Sequence, residues 1–200
     1  MINVRNIRTY FNKKSKKYHT KSISFPWCLI RKFEKNIIFS FLGNVRNLKI
    51  ADVGSGSGYY SKIIIKKKPK EIYAIDNSAE MLNQIKEKKI KKIKQNSEEL
   101  IINKKFDKLI CAGLLEFNTN PLKTLKNINK ISKKKAILVL LCPKNNLFGK
   151  LYRKFHLNNN IKIKLFSTLE IKKLLKKSNW NILKKDEFLL SMIFKLRKNG

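Results

Sequence analysis

The chain has 200 residues, and its 47 Lys and Arg against 13 Asp and Glu give a net charge of +34. That length suits one domain of about 100–200 residues, which buries a core without disulfide or metal staples. A hydrophobic fraction of 42% excludes wholesale disorder, and no apolar run approaches the ~18 residues of a membrane span.

Residues 3–20 are polar and basic with scattered aromatics, and read as partly helical. Residues 27–42 carry apolar groups at helix spacing after Pro26, a residue suited to a helix start. Gly43 and Asn44 end that helix. A strand is predicted over 48–53, a glycine-rich turn over 54–58 and a helix over 59–65. A second strand follows at 71–75. A second helix over 78–88 has Ser78 as N-cap and Met81, Leu82 and Ile85 as its apolar face. Strands are predicted at 90–95, 107–112 and 136–142, with a helix at 121–131 before the last. Residues 143–164 read as irregular. A helix over 167–178 begins at Ser167, with Glu170 at the capping-box spacing. Strands at 180–188 and 191–196 are joined by Leu189 and Leu190 and read as a closing hairpin. Strands alternating with helices predict one parallel sheet with helices on both faces.

Lysine supplies 41 of the 47 basic residues and arginine only six. Lys, Ile and Asn have A/T-rich codons, so base composition alone can produce this charge. The other reading is a footprint for nucleic acid or an anionic membrane. Scarce arginine argues against reading base sequence, where bidentate guanidinium contacts dominate. Cys28, Cys111 and Cys142 include no CxxC pair, which excludes a disulfide framework and a recognisable zinc site. A reducing cytoplasm is the expected location. The first 33 residues hold no acid, which also fits an organellar import leader.

The strongest chemical signal is Asp52-Val53-Gly54-Ser55-Gly56-Ser57-Gly58, between a strand and a helix. Glycines there allow a tight turn and a close approach of ligand to backbone. Ligands of open α/β sheets bind at this end of the first strand. Asp76 closes the next strand, where an acid can accept hydrogen bonds from both hydroxyls of a ribose; the alternative is an Asp that caps the following helix. Dinucleotides and S-adenosylmethionine (SAM) share this arrangement. The loop is GxGxG rather than GxGxxG, and an acid at Asp52 suits an ammonium and repels a pyrophosphate. SAM carries an ammonium.

On these residues, with Ala74-Ile75-Asp76-Asn77-Ser78 and Phe106-Asp107 through Leu115-Glu116-Phe117, the chain resembles class I SAM-dependent methyltransferases over about 26–196. The resemblance implies a seven-stranded, mostly parallel Rossmann-like sheet with a C-terminal antiparallel hairpin. Residues 1–25 would be a helical or lid segment, 26–200 the methyltransferase domain, and 143–166 a substrate-covering insertion. It implies that Asp52, Gly54, Ser55, Gly56 and Gly58 hold the methionine part of SAM, and Asp76 the ribose. Asn77 or Ser78, and Asn96 and Ser97, would lie by the adenine. Asn96 replaces an acid common in relatives, and its carbonyl can still accept from the adenine amino group. Cys111, Ala112 and Gly113 would line the site largely through backbone, and Cys111 reads as a buried strand cysteine rather than a nucleophile.

Nothing matches the Asn/Asp-Pro-Pro-aromatic mark of amino methylation, and Cys142-Pro143 reverses the Pro-Cys of cytosine-C5 chemistry. The Leu115-Glu116-Phe117 ending resembles that of relatives acting on small molecules and lipids, which implies a small organic acceptor. Tyr152 and Arg153 are candidate substrate contacts, as is Tyr18. His156 is either a base for an acceptor hydroxyl or a surface histidine in an Asn-rich loop. Tyr10 and His19 either complete a lid with Tyr18 or simply pack an N-terminal helix. Two other readings stay open: an RNA methyltransferase with a lysine-rich surface, and a non-catalytic module of the same fold. No metal is expected.

Overall fold

The computed structural model describes residues 7, 9–12 and 27–199. From Trp27 the elements are α1 (Trp27–Leu42), β1 (Lys49–Val53), α2 (Tyr59–Ile65), β2 (Glu71–Asp76), α3 (Ala79–Leu82), β3 (Ile90–Lys94), β4 (Phe106–Ala112), α4 (Pro121–Lys130), β5 (Ser132–Pro143), α5 (Leu147–Leu157), α6 (Thr168–Lys177), β6 (Trp180–Phe188) and β7 (Ser191–Lys198). Short 3-10 turns at Ser97–Glu99 and Leu115–Phe117 follow β3 and β4. Ile7 and residues 9–12 are helical. Pro26, Tyr18 and His19 lie outside the described residues, as does the expected boundary at 25/26.

All seven strands form one sheet in the order β3-β2-β1-β4-β5-β7-β6. β1 to β5 pair in parallel, and β7 runs antiparallel to both β5 and β6. This is the expected fold with its closing hairpin. Successive side chains of a strand point to opposite faces, and the core divides accordingly. Ala51, Val53, Leu109, Leu138 and Leu140 face one side, under Leu125 and Ile128 of α4 and Ile171 and Leu175 of α6. Ile50, Ile110 and Val139 face the other, under Ile38 and Leu42 of α1 and Ile64 of α2. A third cluster joins Ile7 to Ile161, Ile163 and Leu165, with Tyr10, Phe11, Phe117 and Tyr152 packed on it. Winding reverses between β1 and β4, which opens a crevice at the carboxyl ends of these strands.

Three elements depart from the sequence reading. The helix expected over 78–88 is only Ala79–Leu82, although Ser78 caps it as expected, its side chain accepting from Met81 N. Beyond Asn83 the chain turns inward to bury Ile85. Carbonyls lost to the helix are taken by lysines: Lys62 Nζ donates to Gln84 O (3.1 Å) and Lys92 Nζ to Ile85 O (3.1 Å). β5 begins at Ser132 rather than 136, across a register shift between Phe106 and Lys108 where Lys135 takes a φ of 58°. The stretch expected to be irregular contains α5, capped by Asn146, whose side chain accepts from Gly149 N (2.9 Å). Its apolar residues escaped recognition as a helix because they face outward (Leu147 is 69% and Leu151 57% exposed). Gly149 packs inward, where an added Cβ would lie 1.9 Å from Lys144 O. No described helix is long and apolar enough to cross a membrane.

Candidate active site

The site begins where β1 stops. Gly54 N and Ser55 N both donate to Ile75 O, at 2.8 and 3.1 Å, which turns the chain sharply over the end of β2. Gly54 has φ 75°, and a Cβ there would meet Leu114 at 2.9 Å. Gly58 has φ 79°, and its Cβ would lie 2.7 Å from Ile85 Cγ1. Both are left-handed positions in close contact, which glycine alone fills without strain. Asp76 Oδ2 accepts from Gly56 N (2.8 Å) and Oδ1 from Ser78 N (2.9 Å). Burial raises the Asp76 carboxyl pKa, and these backbone bonds oppose that rise.

A cavity of about 710 Å³ opens above the loop, within the ~300–1,000 Å³ of small-molecule sites. Gly54, Ser55 and Gly56 line it, as do Asp76, Asn77, Asn96, Ser97 and Ala112. Asn96 caps the turn after β3, its Oδ1 accepting from Glu98 N at 3.0 Å. Tyr10 and Tyr152 also line the cavity, so the described part of the N-terminal segment faces it. His156 lines it too and is only 6% exposed. The surface-histidine alternative is thereby corrected. Its ring packs edge-on among Tyr152, Phe117 and Phe155, with centroids 4.6, 5.5 and 5.5 Å away.

Four expected contacts are not brought to the cavity wall. Asp52 is sealed beneath the loop, where Oδ2 accepts from Ser61 Oγ (2.7 Å) and Ser61 N (3.1 Å). Burial lifts its pKa to about 6 against the pull of those bonds. It braces the start of α2 rather than facing a ligand ammonium. Gly58 is turned under Ile85. Cys111 is wholly buried in β4, and desolvation drives its thiol far above the usual range, so it is neither a wall residue nor a thiolate nucleophile. Arg153 stands on the exposed side of α5.

Sequence reasoning missed the acids that line the rest of the cavity. Glu116 is 2% exposed and lines the cavity, close over Gly113. Its Oε2 accepts no hydrogen bond among the described residues. Desolvation first, and then the Glu34 charge, raise its pKa to about 8. Glu34 of α1 also lines the cavity and accepts from Ser191 Oγ. Burial raises its pKa, opposed by that bond and by Arg31. The available signals were an acid set among Leu114, Leu115 and Phe117, and an acid ending a run of 33 residues without one. Glu98 also reaches the wall, but its carboxylate is taken up by Thr119 Oγ1 (2.6 Å), Thr119 N (2.8 Å) and Asn120 N (3.1 Å). Ser55 Oγ and Asn118 Oδ1 are buried without hydrogen-bond partners among the described residues. Orphaned polar atoms beside a cavity call for a polar ligand. Among the described residues, no group of three or more His, Cys, Asp and Glu is placed to hold a metal.

A seven-stranded sheet with this strand order and a glycine loop at its switch point defines a Rossmann-like methyltransferase of class I. Residues 29–185 match the family described as methyltransferase domain, and the chain belongs to it. A tRNA U34 carboxymethyltransferase of Campylobacter fetus subsp. fetus is 31% identical over 119 residues, 56% of this chain and 41% of that protein. The corresponding protein of Campylobacter jejuni subsp. doylei is 27% identical over 125 residues, 59% of this chain and 42% of its own length. The chain thus spans less than half of these curated relatives. Among solved structures, magnesium protoporphyrin IX methyltransferase of Synechocystis PCC 6803 with bound SAH superposes with a TM-score of 0.78 at 18% identity, covering 98% of this chain and 99% of that one. The 1,6-didemethyltoxoflavin-N1-methyltransferase of Burkholderia thailandensis does so at 0.75 and 14%, covering 98% and 88%.

Proposed function

We propose that the chain transfers a methyl group from SAM to a small organic acceptor. The observation that carries this reading is the two-sided cavity: a glycine loop and Asp76 on one side, an aromatic and acidic chamber on the other. The loop side fits SAM. Gly54 and Gly56 present backbone without a Cβ, Ser55 Oγ offers an unused hydroxyl, and each Asp76 oxygen keeps a lone pair for a ribose hydroxyl. Asn77, Asn96 and Ser97 would lie along the adenine. Arg31 supplies a cation for the methionine carboxylate. When bound, SAM supplies a methyl carbon on a positively charged sulfur, open to in-line displacement.

Tyr152, Phe117 and His156 enclose the acceptor and exclude water. Orientation of this kind contributes about 7–11 kcal/mol to such reactions. An acceptor hydroxyl must lose its proton as the carbon bond forms, and an acceptor ammonium must lose one beforehand to free its lone pair. Glu116, in its ionised form, takes the proton, since its Oε2 is free of hydrogen bonds among the described residues and its pKa of about 8 makes that form the major one only above pH 8. His156 sits beside the same chamber as a second proton acceptor.

The basic surface and the tRNA-directed names of the curated relatives favour one other reading, an RNA acceptor. The aromatic chamber weighs against it, since a base would have to be flipped out of its strand to enter. Calorimetric titration with S-adenosylhomocysteine, followed by methyl-transfer assays on small molecules and then on bulk tRNA, tests both. Micromolar binding with transfer to a small acceptor supports the proposal. Transfer only to RNA, with a steep salt dependence, replaces it. Absence of binding by the folded chain leaves a non-catalytic module.

A further inference from the structure

We propose that α5 docks the protein on an anionic lipid surface. Leu147, Phe148, Leu151, Phe155 and Leu157 are 69, 47, 57, 47 and 45% exposed, five large apolar residues on one helix of 11. At 3.6 residues per turn, the first four share an arc about 100° wide. Gly149, Tyr152 and His156 lie on the adjoining arc, facing the body of the protein. Lys150, Arg153 and Lys154 lie on the other flank. The apolar strip continues at the β6–β7 turn. Asn146 Nδ2 donates to Leu189 O (2.8 Å), which brings Leu189, 40% exposed, beside the start of the helix. Phe188 stacks on Phe33, with centroids 4.7 Å apart, and Phe33 is 51% exposed.

Charge selects the occupant. No acid occurs between Glu116 and Glu170, so every charged side chain of α5 is a cation; Glu187 of β6, near the start of the helix, is taken up by Lys144 and Lys185. A helix with an apolar strip and a basic flank lies in the interface of an anionic bilayer, its side chains reaching the boundary of the acyl chains. An RNA would meet the cations but leave the leucines and phenylalanines against phosphate. A second copy meeting the same face would bring Lys150, Arg153 and Lys154 against like charges in a two-fold contact. The bilayer alone satisfies both halves of the face. Tyr152, Phe155 and His156 of this helix also line the cavity. Resting on the small-acceptor reading above, that position lets an apolar acceptor pass from lipid into the chamber without crossing water. The docking itself is independent of that reading.

Flotation of the full chain with vesicles of phosphatidylcholine, and of phosphatidylcholine with phosphatidylglycerol, tests the proposal. Binding is expected on the phosphatidylglycerol vesicles and little on phosphatidylcholine alone. Leu147→Ser with Leu151→Ser lowers the partition coefficient by about tenfold or more. Lys150→Glu with Lys154→Glu weakens the preference for anionic lipid. All four positions are exposed, and unchanged S-adenosylhomocysteine binding shows that each variant is folded and that the cofactor side is intact. Wild-type-like vesicle binding by the double Ser variant overturns the proposal, as does failure of the wild type to float. A concentration-dependent dimer abolished by the double Ser variant assigns the face to a second copy instead, and binding of bulk tRNA lost with the same leucines assigns it to RNA.

Discussion

The carboxylate of Asp76 accepts a hydrogen bond from the backbone N–H of Gly56, 2.8 Å away and 20 residues earlier in the chain. One side chain therefore fixes the glycine loop to the end of β2, and does so from the wall of the cavity. Asp76→Ala removes this brace together with the proposed ribose acceptor. S-adenosylhomocysteine affinity should fall by about 1.5–3 kcal/mol, as for the loss of hydrogen bonds to a charged group. Calorimetry on a folded variant checks this, and unchanged affinity removes Asp76 from the site.

Asp52 has a structural task in place of the expected ligand contact. Ser61→Ala leaves its buried carboxylate with only the Ser61 N–H as a donor. Unfolding in urea should show a loss of about 1–3 kcal/mol. Cofactor affinity, measured well below the melting temperature, should change little.

Glu116 makes stability depend on pH. Its folded pKa, about 8, lies above its ordinary value of 4.5, so the folded chain holds a proton that the unfolded chain releases. The stability from that proton is full below about 4.5 and is lost as pH rises through about 8. Asp52, shifted from 3.8 to about 6, has the same sign but titrates lower. Thermal melts from pH 7 to 9 should therefore fall more for the wild type than for Glu116→Gln. Parallel curves would remove the raised pKa.

The same substitution tests the proposed base. Glu116→Gln keeps the shape of the side chain but cannot take a proton. Turnover should drop by about 10²–10⁴, the usual contribution of a positioned base, with S-adenosylhomocysteine affinity intact. The rise of wild-type activity through pH 8 should vanish with it.

His156→Ala opens the aromatic wall. Lower turnover with unchanged cofactor affinity is expected. His156→Phe separates two roles: it restores the wall but not proton transfer, so recovery of activity assigns His156 to positioning.

Much of the fold was legible because its elements obey local rules. α2 and β1 are bounded by glycine, and Ser78 and Ser167 cap their helices as their spacing foretold. The failures share a cause in tertiary contact. The predicted extension of α3 was lost because Ile85 is needed beneath Gly58, a contact that no local window contains. α5 was missed because its apolar side faces outward while its inward side is Gly149, Tyr152 and His156. At the site, spacing located the loop and Asp76 but could not show that Asp52 points beneath the loop and bonds Ser61. Glu34 and Glu116 meet only through folding, from elements 82 residues apart in sequence.

The cluster of Ile7, Ile161, Ile163 and Leu165 shares no buried residue with the two layers that flank the sheet. Free energies of local opening follow the apolar surface that must be exposed. Four aliphatic side chains, with Tyr10, Phe11, Phe117 and Tyr152 packed on them, therefore set the threshold for opening this corner, below that for melting the sheet. Amide protons around Ile161 should exchange with solvent long before those of β4 and β5, so that under the proposed function the chamber opens to reagents while the scaffold stays folded.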